Sequence, residues 1–194
     1  MKIKALPLAN EIKGCTVCKE FLPFPPKPIF SFSENSKIVL IGQAPGIKVQ
    51  ESGTPWDDAS GVRLREWLEV SDDQFYDPDI FAIVPMGFCY PGKGKSGDNP
   101  PRPECAPLWM DRILETLPGH KLKILIGQYA QKRFLGDSMK KNLTETVKSW
   151  PEYLPDLVVL PHPSPRNNIW LKKNPWFRKE LLPNLRKVVN RALN

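Results

Sequence analysis

A histidine, a serine and an arginine lie close together in the sequence His162-Pro-Ser164-Pro-Arg166-Asn167-Asn, directly after an apolar run. An imidazole can donate or accept a proton, and a hydroxyl or a guanidinium can bind phosphate. Proline restricts the backbone and has no N–H, so we expect the two prolines to hold His162 in a set orientation. They would leave the N–H and hydroxyl of Ser164 free to bind a ligand such as a phosphate. The chain has only 2 histidines, and this one lies in a rigid polar loop, which favours a functional role over a structural one.

A second motif, Gly42-Gln43-Ala44-Pro45-Gly46, follows another apolar run. Glycines at both ends let the backbone turn sharply and approach a ligand closely, and exposed N–H groups in such a turn suit an anion or a base edge. The motif lacks the Gly-Lys-Ser/Thr ending of a phosphate-binding P-loop and the spacing of a dinucleotide-binding fingerprint. The sequence therefore predicts a ligand-binding turn, with a plain tight turn as the alternative.

Four cysteines form the third candidate site. Cys15 and Cys18 are a C-x2-C pair, and Cys89 and Cys105 follow later in the chain. The N-terminal sequence does not resemble a secretory signal, so we do not expect a disulfide framework. Four thiolates suit zinc or an iron–sulfur cluster, and the spacing does not separate the two. Four unligated cysteines are the remaining alternative.

Apolar runs and helical spacing predict the elements that carry these motifs. Buried strands are predicted at Ile38–Ile41, Ile80–Val84, Ile124–Ile126 and Leu157–Leu160. Runs that are continuously apolar are typical of a parallel sheet covered on both faces. Helices are predicted over Val62–Val70, Met110–Leu117 and Tyr129–Leu135, and after Asn174-Pro175 with a kink or break at Pro183. The alternation predicts a single α/β domain over residues 1–194.

Ligands of such folds bind beyond the carboxyl ends of the strands. This rule places four segments on one edge of the sheet: Gly42–Gly46, Pro85–Gly92, Gly127–Ala130 and His162–Asn168. The loop Tyr90–Glu104 is long, rich in glycine, proline and charge, and bounded by two cysteines. We predict that this loop is functional.

The charge and hydropathy of the chain bear on its partners. A formal net charge of +7 and a pI near 9.2 favour a polyanion. No apolar run has the length of a membrane span, so we expect no membrane partner and a cytoplasmic location.

Taken together, the first and last motifs resemble the two signature motifs of the uracil-DNA glycosylase superfamily, in order and in separation. The cysteine spacing is similar to that of the iron–sulfur-containing branch called family 4, and so is the run from Gly53-Thr-Pro-Trp56 to Gly61. The resemblance implies a three-layer α/β/α fold with a central four-stranded parallel sheet. It also implies a monomer that binds DNA and hydrolyses the bond between a deaminated base, first of all uracil, and its deoxyribose.

The resemblance also implies roles for individual residues. His162 would donate to the base as it leaves, helped by backbone amides near Gln43, and Trp56 would stack on the extruded base. Arg166 would occupy the vacated place in the base stack, and Ser164 would hold phosphate. The remaining implied substrate contacts are Gly42, Ala44, Pro45, Gly46 and Asn167. The implied ligands of a 4Fe-4S cluster, with zinc or no metal as alternatives, are Cys15, Cys18, Cys89 and Cys105.

Three positions depart from the family pattern. The best-known branch has a water-activating aspartate where this chain has Ala44, and family 4 has a glutamate at the position of Gln43. Asp57, Asp58 or Glu51 could supply the carboxylate, and we predict Asp57. The position of the base-reading asparagine corresponds to Pro85, so hypoxanthine is a candidate base beside uracil. The same departures leave a non-catalytic nucleic-acid-binding protein as the alternative function, with a small-molecule hydrolase as a third.

Overall fold

The computed structural model describes residues 4–194, and a four-stranded parallel sheet forms its centre. The strands are β1 (Ile38–Ile41), β2 (Phe81–Ile83), β5 (Leu122–Ile126) and β6 (Leu157–Leu160), in the spatial order β2-β1-β5-β6. All four predicted strands are therefore present, and the parallel arrangement is confirmed. The two remaining strands, β3 (Lys93–Gly94) and β4 (Gly97–Asp98), form a short antiparallel hairpin that the sequence did not predict.

Helices cover both faces of the sheet. They are α1 (Ala5–Lys13), α2 (Ile47–Ser52), α3 (Ala59–Leu68), α4 (Asp72–Tyr76), α5 (Cys105–Glu115), α6 (Gln128–Leu135), α7 (Leu143–Lys148), α8 (Asn168–Lys173) and α9 (Leu182–Leu193). Predicted helices correspond to α3, α5 and α6. Helix α5 begins earlier than its apolar spacing indicated, because its first turn carries Cys105 and Ala106 rather than large apolar residues.

Alternate strand residues supply two separate cores. Ile38 and Leu40 pack in one core with Leu64 of α3 and Leu185 of α9. Val39 and Ile41 point to the other face, where they pack in a second core with residues of α1, α5 and α6. All four residues of β1 are fully buried, which explains why this strand is continuously apolar. The predicted α/β/α architecture is confirmed.

The predicted C-terminal helix is helical from Pro175 onward but is not uniform. A π-helical turn, Phe177–Leu181, precedes α9, and Pro183 follows that turn near the start of α9. A proline has no N–H to bond to the preceding turn, and a wider π turn is one way in which a helix accommodates such an interruption. Pro183 therefore accompanies a change of helix type rather than a break. Asn174 precedes the helix as predicted, but its side chain bonds to Trp170 and Trp176 instead of capping the backbone.

The strand order decides where a ligand can enter. From β1 the chain crosses to β2 on one side and then returns past β1 to β5 on the other. The strand order reverses between β1 and β5. The loops after two such strands run to opposite faces of the sheet, which leaves a crevice at the carboxyl edge. Within residues 4–194, no helix combines the length and the apolar character that a bilayer crossing requires.

Candidate active site

A cleft of about 550 Å³ opens at the carboxyl edge of the sheet. Its volume lies within the range of roughly 300–1,000 Å³ that is typical of small-molecule pockets. The structure brings together nearly all of the predicted catalytic and substrate-binding residues there: Gly42, Gln43, Ala44, Pro45, Gly46, Trp56, His162, Ser164, Arg166 and Asn167. The segment Gly127–Ala130 is the exception among the predicted edge segments, because Tyr129 and Ala130 pack into the core below the sheet.

His162 lies in the cleft with its ring protonation defined by a neighbour. The backbone N–H of Ser164 donates to Nδ1 of His162 at 3.2 Å. Nδ1 is therefore an acceptor, and the ring proton of the neutral imidazole is assigned to Nε2. Burial lowers the pKa of His162 from its ordinary value of 6.5, and the negative charge of Asp58 opposes this shift in part. The ring is thus a neutral hydrogen-bond donor through Nε2 at ordinary pH.

The loop around His162 is fixed by side chains from several elements. Nδ2 of Asn167 donates to the carbonyl of His162 at 2.6 Å, and Arg63 of α3 donates to the carbonyl of Ser164 at 3.1 Å. At the end of β6, Nε2 of the fully buried Gln131 donates to the carbonyl of Leu160 at 2.9 Å. The carbonyl groups of Leu160 and Ser164 also accept backbone N–H groups, from Gly127 and Asn167. The side-chain bonds therefore add second contacts that hold the loop in place.

The structure corrects the prediction for Ser164. Its N–H is not free for a phosphate, because it donates to His162, and its Oγ accepts the N–H of Arg166 at 3.2 Å. The two prolines on either side remove competing donors, so the single remaining N–H of this segment is directed to the imidazole. The backbone N–H of the serine therefore orients the histidine, and the hydroxyl keeps its own proton as a donor.

Trp56 forms one wall of the cleft and also contacts the core. Its ring lies 5.6 Å from that of His162 at an interplanar angle of 31°. A Cβ at Gly42 would lie 3.0 Å from Cζ2 of Trp56, so the glycine lets the indole lie directly against the first motif. Trp56 has a φ of 57°, which is uncommon for a residue with a side chain. Trp56 therefore packs against the core and at the same time offers its ring to the cleft.

Helix α3 begins at Ala59, and its first turn packs against the backbone of Trp56. Oδ1 of Asp58 accepts the N–H of Gly61 at 2.8 Å and thereby caps the helix. A Cβ at Gly61 would lie 1.7 Å from the carbonyl oxygen of Trp56, which only glycine can avoid. The run from Trp56 to Gly61, noted in the sequence, is therefore a close contact between a turn and the first turn of a helix.

The β3–β4 hairpin covers one side of the cleft. Nη1 of Arg166 donates to the carbonyl of Ser96 at 3.2 Å, which ties the His162 loop to the hairpin. A Cβ at Gly97 would lie 2.8 Å from the same guanidinium nitrogen, so the glycine admits the arginine. Ser96, Gly97 and Asp98 line the cleft, so part of the loop Tyr90–Glu104 lies at the candidate site. Arg166 is thus engaged with this chain and not fully extended into solvent.

The carboxylates of the cleft differ from the predicted one. Asp57 is exposed and does not line the cleft, whereas Asp58 and Asp98 do. Burial raises the pKa of Asp98, while Arg166 and Lys93 lower it and Asp58 raises it further. Sequence spacing did not reveal Asp98, since its approach to the first motif depends on how the hairpin folds back. The only signal in the sequence was the length and composition of its loop.

Gln43 and Pro85 also line the cleft. Nε2 of Gln43 donates to the carbonyl of Asn99 at 3.4 Å, and the carbonyl of Gln43 accepts the N–H of Gly87. Gln43 therefore joins the loops that follow β1 and β2. Pro85 forms part of the wall and can offer no side-chain hydrogen bond to a base.

The four cysteines converge on a second, smaller cavity. Cys15 and Cys18 follow α1, Cys89 follows β2, and Cys105 begins α5, and all four line this cavity as free thiols. Burial raises the pKa of Cys89 to about 11 and that of Cys105 to about 12. The donor set, four unpaired thiols from distant parts of the chain, fits the chemistry of zinc or of an iron–sulfur cluster.

The positions of these thiols do not by themselves define a metal site. Among residues 4–194, no group of three or more His, Cys, Asp or Glu side chains is positioned to hold a metal ion. Tetrahedral zinc needs four sulfurs at about 2.3 Å from one point, which is a narrow requirement. As arranged, the cysteines therefore do not form a finished single-ion site.

The chain also matches a known protein family. Residues 30–186 match the family model described as Uracil DNA glycosylase superfamily. The match includes the first motif, the β3–β4 hairpin and the His162 loop, and therefore every segment that lines the cleft apart from Ile29.

Proposed function

The chain belongs to the uracil DNA glycosylase superfamily, and we propose that it hydrolyses the N-glycosidic bond of a deaminated base in DNA, with uracil as the first candidate. The observation that carries the proposal is the state of His162. The ring lies in the cleft, its Nδ1 accepts the N–H of Ser164, and burial lowers its pKa, so we assign the neutral form with the proton on Nε2. A fixed N–H donor in a cleft is what a departing base requires as negative charge develops on its oxygen.

The reaction needs the base outside the duplex. Extrusion of a nucleotide costs a few kcal/mol, least for a mismatched base, and places the base in a pocket between flat side chains. The cleft supports this step by its volume and by the indole of Trp56 on one wall. Stacking on an aromatic ring contributes about 1–3 kcal/mol per base.

The leaving group and the sugar are then stabilised by different groups. As the C1′–N bond lengthens, its electron pair moves to the base, and Nε2–H of His162 donates to the base oxygen that gains charge. The hydrogen bond from Ser164 keeps the imidazole in the donating tautomer. The sugar gains positive charge, and water adds to C1′ to complete the hydrolysis.

The identity of the base is a finer part of the proposal. Pro85 cannot distinguish uracil from cytosine by side-chain hydrogen bonds, whereas the backbone groups of Gly42–Gly46 are near the cleft. We therefore propose a substrate range that extends beyond uracil to other deaminated bases such as hypoxanthine.

Abasic-site formation tests the proposal directly. Oligonucleotides that each carry one uracil, hypoxanthine or xanthine are incubated with the protein and cleaved with alkali. We expect release of at least one of these bases, and a loss of about 100- to 1,000-fold in the single-turnover rate for His162→Ala, as for removal of one oxyanion donor. The matched control is His120→Ala, since His120 lies outside the cleft and bonds to the carbonyl of Leu117. Absence of base release from all three substrates would contradict the proposal.

The cysteine cavity supports a second, structural proposal. We infer that the chain belongs with the family 4 branch and that Cys15, Cys18, Cys89 and Cys105 hold a 4Fe-4S cluster. The cluster would tie the segment after α1 to both ends of the loop that carries the β3–β4 hairpin. It would take no part in base release.

Anaerobic purification tests the cluster. We expect a brown protein with broad visible absorption, iron and acid-labile sulfide near four each per chain, and loss of all three in Cys89→Ser. A colourless protein with one zinc per chain would contradict the cluster and support the zinc site. Absence of any metal would contradict both the cluster and the zinc site.

One observation favours the non-catalytic alternative. The first motif carries Gln43 and Ala44 where relatives of the resembled branches carry a carboxylate, and Asp57 lies outside the cleft. This alternative predicts salt-dependent binding of DNA without base release, so the same substrate panel separates the two functions.

A further inference from the structure

The cleft contains two carboxylates that differ in their hydrogen bonding. Asp58 and Asp98 are the acidic side chains that line it. Oδ1 of Asp58 accepts the N–H of Gly61, so this side chain is part of the start of α3. Asp98 forms no side-chain hydrogen bond or ion pair with any other residue in the described range 4–194, which leaves both of its oxygens available to water or substrate.

The position of Asp98 is defined by the hairpin and by the first motif. Asp98 is the last residue of β4 and pairs with Lys93 of β3. A Cβ at Gly46 would lie 3.5 Å from Oδ2 of Asp98, so the carboxylate reaches over the end of the Gly42–Gly46 turn. This turn contains Gln43 and Ala44, the two positions at which the first motif has no carboxylate. Asp98 therefore brings an acidic group from a different part of the chain to the same side of the cleft.

The hairpin is held where this contact can form. The bond from Arg166 to the carbonyl of Ser96 attaches its tip to the His162 loop, and Gly97 leaves room for that guanidinium. Nδ2 of Asn99 donates to the carbonyl of Pro91 at 3.1 Å and closes the base of the hairpin. The charged groups near the carboxyl are Arg166, Asp58 and Lys93. Desolvation and Asp58 raise the pKa of Asp98, and the two cations oppose that shift.

We propose that Asp98 activates the water that attacks C1′, in place of the carboxylate that the first motif lacks. This inference rests on the proposed glycosylase function. In the step, the C1′–N bond breaks and its electron pair leaves with the base, while the water oxygen forms a bond to C1′. The water gives one proton to the Asp98 carboxylate, and the anionic base, stabilised by His162, later takes a proton from solvent. The products are the free base and an abasic sugar.

Single-turnover base release by three variants tests this role. General-base catalysis typically contributes 100- to 10,000-fold, so we expect Asp98→Asn to lower the rate by about 100-fold or more. Binding to an oligonucleotide with an uncleavable abasic-site analogue should change little, because the variant keeps the shape of the hairpin. Asp98→Glu should recover part of the rate, and added formate should partly restore Asp98→Ala by supplying a carboxylate from solution.

The matched control is Asp137→Asn, an exposed aspartate after α6 and outside the cleft, which should keep the wild-type rate. A thermal unfolding curve for each variant identifies loss of folding, and formate rescue is not expected of a variant that is merely unfolded. If Asp98→Asn released the base at the wild-type rate, the role of Asp98 would be overturned and the proposed function would stand. A wild-type protein that releases no base from any substrate would overturn the function and this role together.

Discussion

The chemistry of the cleft depends on the environment of one imidazole. Two independent features favour the neutral ring of His162: burial, which penalises the charged form, and the N–H of Ser164, which can only bond to an unprotonated Nδ1. A protonated ring would lose that hydrogen bond and would lie close to the N–H that now donates to it. The N–H of the serine between the two prolines therefore favours one tautomer of the histidine.

The lowered pKa of His162 has a consequence for stability. Its pKa in the unfolded chain is near the ordinary 6.5, and burial lowers it in the folded chain. Below pH 6.5 the unfolded state therefore binds more protons than the folded state. The contribution of the neutral His162 to the stability of the fold is present above pH 6.5 and is lost as the pH falls toward the pKa of the folded state. We expect the free energy of unfolding, measured by urea titration, to fall less between about pH 7 and pH 5 in His162→Gln than in the wild type.

The comparison of the two proteins cancels the titration of His120, which is present in both. Equal pH dependence in the wild type and in His162→Gln would show that the imidazole titrates normally in the folded state. That result would contradict the assignment of a neutral donor.

At the scale of elements, the first turn of α3 and the turn before it act as one unit. Asp58 caps the helix. Arg65, further along the helix, donates to the carbonyl of Trp56 at 3.4 Å and forms an ion pair with Asp72 at 2.7 Å. Gly61 lets the helix approach the same carbonyl. The position of the Trp56 ring in the cleft therefore depends on how α3 begins.

Replacement of Gly61 tests this dependence. An added Cβ would overlap the carbonyl of Trp56, and overpacking of this kind costs about 1–3 kcal/mol or more. We expect Gly61→Ala to lower the free energy of unfolding by at least about 2 kcal/mol and to reduce base release through displacement of Trp56. Gly119→Ala is the matched control, since a Cβ there would meet nothing within 4 Å. Equal effects of the two substitutions on urea denaturation would contradict the close contact.

At the scale of the whole molecule, the sheet and the charge work together. The sheet places its carboxyl edge, the cleft and the hairpin on one side, and the net charge of +7 favours a polyanion. Lys93 and Lys95 are exposed on the hairpin beside the cleft. They extend the positive charge of Arg166 along the surface that an extruded nucleotide must approach.

Salt dependence of DNA binding tests this surface. Each phosphate contact adds about 0.9 to the slope of log K against log salt for duplex DNA. We expect Lys95→Gln to reduce that slope by about 1, measured by fluorescence anisotropy with a duplex. Lys132→Gln is the control, because Lys132 is exposed in the last turn of α6, away from the edge where α6 begins. A slope that falls equally in both variants would mean that the binding is not focused at the cleft.

The sequence by itself determined the class of fold and most of the cleft. Continuous apolar strands are typical of a parallel sheet covered on both faces, so Ile38–Ile41 and its counterparts predicted an α/β fold, and the family resemblance implied the three-layer form. Residues directly after parallel strands meet at one edge whatever the details of packing. His162 and the Gly42–Gly46 motif were therefore found together as predicted, and Trp56, whose role the family resemblance implied, lines the same cleft.

Only the tertiary structure decided which groups are free and which are engaged. Ser164 was predicted to bind a ligand, but its N–H is bound to His162 because a backbone donor bonds to the nearest acceptor that the loop provides. Asp57 and Asp58 are neighbours in the chain, yet only Asp58 faces the cleft, because capping of α3 turns its side chain inward. Asp98 reaches the first motif through the pairing of β3 with β4, a contact between residues far apart in the chain. Such engagement depends on distances between segments, which local residue patterns do not encode.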